Sequence, residues 1–228
     1  MRKLILIPAR AGSKGLPGKN VKYLDGKPLI SYSIEFAKEI AGEKDVICIS
    51  SNDMEVLEIA RGHGIGLPFI RPDFLATDEA GSYEVIMHAL EYYGTENFDA
   101  VLLLQPTSPL RRTNDYLKLE SKFKTEIDMV VTVRKSKENP YFNLFEEDAD
   151  GTLKKCKSAT FTRRQDCPTV YAINGSMYLM NVQSLLKTDI IGFTKIDKIE
   201  MPDELSIDID TMQDWIIAEY LMRKNEND

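Results

Sequence analysis

Short apolar runs separated by helical patterns are the feature that most limits how this chain of 228 residues can fold. The runs at residues 4–7, 46–49, 100–104 and 129–133 are short and almost entirely apolar, which is typical of strands buried on both faces. Helical periodicity follows at residues 28–40, 52–64, 82–93, 115–123 and 212–222. This alternation predicts an α/β fold, a doubly wound and mainly parallel sheet with helices on both faces.

The pattern changes after Val133. Residues 134–168 are polar and are interrupted by Pro140 and Gly151, with short apolar patches at 141–145 and 159–161. A segment of about 35 residues is too short to form its own core without disulfides or metal. We therefore expect residues 1–228 to form a single domain, from which 134–168 extends as a small lobe or a dimerisation arm.

Composition excludes several classes of protein. The net charge of −7 and the absence of a basic stripe argue against a nucleic-acid partner. No apolar run approaches the roughly 18 residues of a membrane helix, and the apolar start is too short for a secretory signal. Three scattered cysteines and two histidines offer little material for a disulfide framework, a zinc site or a Ser-His-Asp triad. We expect a soluble, cytoplasmic protein that does not bind membranes.

The strongest chemical signal is the loop after the first strand, IPARAGSKGLPGKN at residues 7–20. Its glycines allow close backbone approach, its cations supply charge, and its neutral side chains supply hydrogen bonds; these residues are Gly12, Gly15, Gly18, Arg10, Lys14, Lys19, Ser13 and Asn20. That mixture suits a polyphosphate. The loop matches neither GxxxxGK[ST] nor GxGxxG, so P-loop hydrolysis and Rossmann dinucleotide binding lose support. The alternative is a flexible surface loop with solvated lysines.

Acidic residues recur near the C-terminal helix, in the segment SIDIDT at residues 206–211. Asp208 and Asp210 emerge on one face of an extended segment, with Ile207 and Ile209 on the other. Two adjacent carboxylates favour a Mg²⁺ ion shared with phosphate oxygens. The alternative is that Asp210 merely favours the N-terminus of the final helix, although a capping box from Thr211 already serves that helix.

These motifs resemble those of the CMP-sialic acid synthetases, the acylneuraminate cytidylyltransferases. Residues 7–20 fit the family signature IPAR-x-GSKG-x-P-x-KN throughout. The resemblance continues through five ordered blocks: IRP with LATDEAGS (69–82), LLLQPTSPLR (102–111), RRQ (163–165), NGSMY (174–178) and SIDIDT (206–211). The related Kdo cytidylyltransferases typically carry a different pattern in the first loop, which favours nine-carbon acids here.

The resemblance implies a Rossmann-like nucleotidyltransferase that uses Mg²⁺ to transfer CMP from CTP to the anomeric hydroxyl of a sialic-type 2-keto sugar acid, releasing pyrophosphate. It implies catalytic roles for Arg10, Lys19 and Asp210, and metal ligation by Asp208 and Asp210. The nucleotide is expected to contact Ala9, Arg10, Ala11, Gly12, Ser13, Lys14, Lys19, Asn20, Arg71 and Ser82. Arg71 has an alternative as a surface residue fixed by Pro72.

The sugar acid is expected to contact a second set of residues: Gln105, Thr107, Arg163, Arg164 and Tyr178. The amide of Gln105 both donates and accepts hydrogen bonds, and a guanidinium suits the carboxylate of the acid. By the resemblance, the segment with Arg163 and Arg164 comes from the partner in a homodimer, and one of the two arginines is a solvated charge. Alternatives are an ordinary proline turn at 105–109 and a core role for Tyr178.

Two other functions remain open. The same chemistry can act on legionaminic acid, pseudaminic acid or Kdn. From a different class, the chain is a catalytically silent protein that binds nucleotide sugars, although such a protein would be free to lose phosphate, metal or sugar residues that are all present here.

Overall fold

A computed structural model describes residues 1–12 and 15–225. The strands are β1 (Lys3–Pro8), β2 (Tyr23–Leu24), β3 (Lys27–Pro28), β4 (Val46–Ser50), β5 (Ala100–Leu104), β6 (Met129–Lys135), β7 (Phe145–Glu147), β8 (Leu153–Lys155), β9 (Tyr171–Asn181) and β10 (Ile196–Glu200). The helices are α1 (Leu29–Ile40), α2 (Met54–Gly62), α3 (Ser82–Tyr93), α4 (Thr113–Lys122), α5 (Val182–Leu185) and α6 (Met212–Asn225).

A six-stranded sheet in the order β10-β6-β9-β5-β1-β4 forms the centre of the fold. β4, β1 and β5 are parallel, as are β10 and β6, whereas β9 is antiparallel to both of its neighbours. The prediction of a mainly parallel sheet is confirmed. β9 is the exception because the chain leaves β6 at Lys135 and returns beside it at Tyr171, so β9 starts from the edge where β6 ends.

Apolar side chains project from both faces of the sheet, as the continuous apolar runs predict. Ile5 and Ile7 of β1 pack in a core that includes residues of α1, α2, α4 and α6. Leu4 and Leu6, on the opposite face, pack in a core that includes residues of α3 and α5. The sheet is therefore doubly wound. In the described ranges, no helix has both the length and the apolarity needed to cross a bilayer.

Some local predictions are corrected by the structure. The helix predicted at residues 52–64 begins at Met54 and is capped by Asp53, whose side chain accepts a hydrogen bond from the Glu55 N–H at 3.0 Å. The regular apolar pattern that returns after Val170 and continues through residues 176–180 corresponds to one strand, β9, whereas the short edge strand β10 has no counterpart in the sequence prediction. The Thr211 capping box is present: Asp214 accepts from the N–H and hydroxyl of Thr211.

The polar segment that leaves the sheet, the excursion, spans residues 136–170 rather than 134–168, because Arg134 and Lys135 continue β6. It contains the separate hairpin β7–β8. Its two apolar patches pack on each other, with the rings of Tyr141 and Phe161 edge-to-face at 6.1 Å. Its role in dimerisation stays a prediction.

Lys3 forms a buried ion-pair cluster at the amino end of the sheet. Its ammonium lies 3.0 Å from Asp45 and 2.7 Å from Glu120, and the Asp45 side chain is only 2% exposed. Replacing Lys3 with Met leaves that carboxylate unpaired, so we expect the free energy of unfolding to fall by about 3 kcal/mol. Lys135→Met removes an exposed pair with Glu200 and should cost less than about 1 kcal/mol. Guanidinium chloride unfolding compares them, and equal losses would contradict the assignment.

Candidate functional site

A cavity of about 430 Å³ opens at the carboxyl edge of β1 and β5, where ligands bind in α/β sheets of this kind. The structure brings nine of the predicted residues to its wall: Arg10, Lys19, Asn20, Arg71, Ser82, Gln105, Thr107, Asp208 and Asp210. The motifs converge because the chain returns to the same sheet edge after each strand. The individual roles of these residues stay predictions.

The glycine-rich loop is held to the sheet by its backbone. The N–H of Ala11 donates at 2.9 Å to Oδ1 of Asn52, which lies two residues after the end of β4. Gly12 has a φ of 75°, a left-handed conformation that side chains disfavour. Ala9, Ala11 and Gly12 shape the loop but do not line the cavity. The predicted contacts of Ser13 and Lys14 lie outside the described residues.

Lys19 joins this loop to the acidic segment. Its Nζ donates to the carbonyl of Ile209 at 2.9 Å and to Oδ1 of Asp210 at 2.7 Å, and its side chain is 10% exposed. A Cβ at Gly15 would lie 2.3 Å from the carbonyl oxygen of Asp210, so only glycine permits this approach. The cation and carboxylate that the sequence placed 191 residues apart are thus in direct contact.

Asp208 is fixed by the loop after β5. The N–H of Ile209 donates to the carbonyl of Thr107 at 2.8 Å, and the Thr107 side chain hydrogen-bonds Asp208. Burial raises the pKa of Asp208, the Thr107 hydrogen bond lowers it, and the charge of Asp210 raises it further. Ile209 is fully buried, as the alternation predicted, while Asp208 stays accessible through the open cavity.

The carboxylates of Asp208 and Asp210 suit Mg²⁺ better than they suit a metal ion that is bound by protein side chains alone. The described residues contain no group of three or more His, Cys, Asp or Glu side chains that could hold a metal. Asp208 and Asp210 line one cavity and their charges repel each other. One or two carboxylates completed by phosphate oxygens and water is the arrangement that Mg²⁺ favours.

Two arginines approach the cavity from different depths. Arg10 donates to Asp78 at 2.5 Å and to the carbonyl of Ala76 at 3.2 Å. Arg71 is 4% exposed and donates through Nε to the Ser50 hydroxyl at 3.0 Å, so its alternative as a surface residue is wrong. Burial, followed by the nearby charge of Arg10, lowers the pKa of Arg71 to about 10.

Tyr178 lies behind the site rather than on its wall. It is half-buried on β9, packs against the core on the α3 side, and hydrogen-bonds the side chain of Gln105. Burial first, then the charge of Asp208, raises its pKa. The alternative of a core residue therefore has support, and Tyr178 would act by holding Gln105. Ser82 is the first residue of α3, so its end of the helix dipole faces the cavity.

Arg163 and Arg164 are not brought to this cavity. Arg163 is exposed and pairs with Asp166 at 2.8 and 2.9 Å. Arg164 lines a separate cavity of about 340 Å³ beside Asn139 and Cys167. Within one chain, the predicted carboxylate-binding arginines are thus apart from Gln105 and Thr107.

Sequence reasoning missed two residues that shape the site. Asn52 accepts the N–H of Ala11, and its position in the loop that follows β4 was the available signal. Gly175 has a φ of 75°, and a Cβ there would lie 3.2 Å from Oδ2 of Asp208, so glycine leaves room for that carboxylate. Gly175 lies within the motif NGSMY, but nothing in the sequence indicates its neighbour.

Comparisons with known proteins agree with this geometry. A family model described as cytidylyltransferase matches residues 4–227. A pseudaminic acid cytidylyltransferase of Campylobacter jejuni is 33% identical over 99% of this chain and 98% of its own length. An N-acylneuraminate cytidylyltransferase of Streptococcus agalactiae is 30% identical over 100% of this chain, which spans 56% of that relative.

A solved structure shares the fold. A CMP:2-keto-3-deoxy-manno-octonic acid synthetase complexed with CTP superposes with a TM-score of 0.73, at 17% identity, over 99% of this chain and 100% of that one. The likeness in fold, the family match over almost the whole chain and the convergence of the motifs on one cavity lead to one conclusion. The chain belongs to the cytidylyltransferase family.

Proposed function

We propose that this protein transfers CMP from CTP to the anomeric hydroxyl of a sialic-type nine-carbon 2-keto sugar acid. The observation that carries the proposal is the single cavity that collects Arg10, Lys19, Asp208, Asp210 and Gln105. It offers cations for phosphates, carboxylates for a metal and an amide for a sugar. The relatives that act on pseudaminic acid and on N-acylneuraminate support this class of acceptor.

The reaction forms a bond between the anomeric oxygen and the α-phosphorus. It breaks the bond between that phosphorus and the oxygen that bridges the α- and β-phosphates. The hydroxyl proton passes to solvent, and pyrophosphate leaves with the bridging oxygen. Negative charge grows on the phosphate oxygens, so cations fixed in advance stabilise the transition state. Lys19 is already held by Ile209 and Asp210, and Arg10 lies at the rim of the cavity, where it can exchange Asp78 for a phosphate.

Asp208 and Asp210 would hold Mg²⁺, as the sequence predicted. When bound, the ion supplies Lewis acidity and charge neutralisation at the phosphates. The protein's own part is to keep both carboxylates in place, through Thr107, Lys19 and the space left by Gly175.

The acceptor within this class is N-acylneuraminate by the first expectation, with pseudaminic acid, legionaminic acid and Kdn as alternatives. These acids share the carboxylate and the ring that Gln105 and Thr107 would contact. They differ at substituents farther along the carbon skeleton of the sugar. The first loop keeps SKG and KN, which distinguishes it from the pattern typical of Kdo enzymes. A cytoplasmic location follows from the supply of CTP there.

We further propose a homodimer, in which Arg163 or Arg164 reaches the sugar site of the partner subunit. Support comes from their distance from the cavity of their own chain and from the exposed apolar side chains of the excursion, Phe145 at 45% and Leu153 at 69%.

Pyrophosphate release from CTP tests the function directly. With Mg²⁺ present, we expect turnover with at least one of N-acetylneuraminate, pseudaminic acid, legionaminic acid and Kdn. We expect kcat/KM for that acid to exceed the value for the eight-carbon Kdo by at least about 100-fold, because a site that hydrogen-bonds a substrate strongly rejects acids lacking those groups. CTP binding without turnover on any acid would instead identify a silent nucleotide-binding protein, and turnover with Kdo alone would contradict the acceptor class.

A further inference from the structure

Arg111 is a buried cation beside the loop that follows β5. Arg111 is 9% exposed, and three nitrogen atoms of its guanidinium donate hydrogen bonds. Nε donates to the carbonyl of Ser176 on β9 at 3.0 Å, and Nη1 donates to the hydroxyl of Ser33 on α1 at 2.9 Å. Nη2 donates to the carbonyl of Gln105, at the end of β5. One side chain thus joins three elements at the carboxyl edge of the sheet.

Packing alone does not account for a charge at this place. Across residues 1–12 and 15–225, no carboxylate forms an ion pair with Arg111, whereas the buried Lys3 has two. Burial lowers the pKa of Arg111 to about 9, and the charge of Asp208 partly opposes that effect. Apolar side chains of similar volume often stabilise a core as well as a buried ion does, so its presence calls for another explanation.

The contact with Gln105 connects Arg111 to the site. The Gln105 carbonyl also accepts the N–H of Ser108 at 3.3 Å, which closes the loop at residues 105–108. Within that loop, the Thr107 carbonyl accepts the N–H of Ile209, and the Thr107 side chain hydrogen-bonds Asp208. Fixing the Gln105 carbonyl therefore sets both the amide that faces the sugar acid and the segment that carries the acidic pair.

We propose that Arg111 is a positioning residue for the transfer reaction, acting through the loop 105–108 on the placement of the sugar acid against the nucleotide. The proposal rests on the proposed function. Arg111 lies behind the loop and does not line the cavity, so it contributes no direct contact with either substrate. Its fork geometry, rather than charge alone, meets three acceptors at once.

Steady-state kinetics of Arg111→Met and Arg111→Lys test the proposal. We expect Arg111→Met to lower kcat/KM for the sugar acid by about 100-fold, because a displacement near 1 Å has an effect of that size. CTP affinity measured by calorimetry without Mg²⁺ should change by less than about 3-fold, because Arg10 and Arg71 are held by residues outside the loop 105–108. Arg111→Lys keeps the charge but not the fork, and should lose about 10-fold.

Lys3→Met is the matched control, because it removes a buried cation at the amino end of the sheet, away from the cavity. At a temperature where all variants are folded, it should keep kcat/KM near the wild-type value. A loss equal to that of Arg111→Met would show a general effect of stability and overturn the proposal. If Arg111→Met does not fold, Arg111→Lys is compared with the same control.

Two further readouts separate positioning from bulk structure. In a Gln105→Ala background, Arg111→Met should lose less than about 10-fold, because both changes act through one loop; an undiminished loss would overturn the proposal. Hydrogen exchange of residues 105–108 and 206–211 should rise in Arg111→Met and not in Lys3→Met, and unchanged exchange would also overturn it. That measurement needs no turnover, whereas absence of wild-type activity on every acid would refute only the proposed function.

Discussion

Asp210→Asn is expected to lower kcat by at least about 100-fold while the protein stays folded. The change removes one of two carboxylates available to Mg²⁺ and also the partner of Lys19, whose Nζ lies 2.7 Å from Oδ1 of Asp210. Asp208→Asn should have a similar effect, because Asp208 lines the same cavity and is held by Thr107. The measurement is kcat at limiting and saturating Mg²⁺, with unfolding curves to establish folding.

Asp203→Asn is the matched control, since it removes a negative charge from the same part of the chain that does not line the cavity. Asp203 forms an exposed ion pair with Lys137 at 3.5 Å, so its loss should cost less than about 1 kcal/mol of stability and little activity. Mn²⁺, followed by electron paramagnetic resonance in the presence of CTP, gives a readout independent of turnover. Asp210→Asn should weaken its binding by at least about 10-fold. Near wild-type kcat and Mn²⁺ affinity in Asp210→Asn would contradict the metal assignment.

The parts of the fold that the sequence predicted are those determined by local pattern. α3 begins and ends where predicted, at Ser82 and Tyr93, because glycines flank an amphipathic run. β5 matches as well, since five buried apolar residues leave no other arrangement. β10 was not predicted because it is an edge strand with Asp197 and Lys198 in its middle and only Ile199 buried.

The residues of the site also fall into two groups, those that local pattern predicts and those that depend on tertiary contacts. Gln105 directly follows β5, and Arg10 lies just after β1 in the loop that also carries Lys19, so the edge of a parallel sheet collects them without further information. Arg111 has acceptors at Ser33 and Ser176, 78 and 65 residues away, and no local pattern indicates them. Arg71 likewise donates to Ser50, 21 residues away, and no local pattern indicates that contact. Residues whose role depends on tertiary partners are visible only once those partners are placed.

Mixing two inactive variants should restore activity if the sugar site is shared between subunits. One variant carries Arg163→Ala and Arg164→Ala, and the other carries Asp210→Asn. In a heterodimer, the cavity with an intact Asp210 receives intact arginines from the other subunit, whereas the second site has both defects. Random exchange makes half of the dimers mixed, so we expect about a quarter of wild-type activity. Pyrophosphate release is measured after subunit exchange has been shown by tagged pull-down.

Asp208→Asn mixed with Asp210→Asn is the matched control, because both changes affect the cavity of their own chain and no intact site can form. Activity should stay near zero in that mixture. Confirmed exchange without recovery in the arginine mixture would place Arg163 and Arg164 in the site of their own subunit. That outcome would require both to leave their present contacts, since Arg163 pairs with Asp166 and Arg164 lines a separate cavity. A fully active monomer in light scattering at assay concentration would remove the shared site altogether. Recovery in the arginine mixture alone requires both a dimer and arginines that cross its interface, because neither condition without the other yields an intact site.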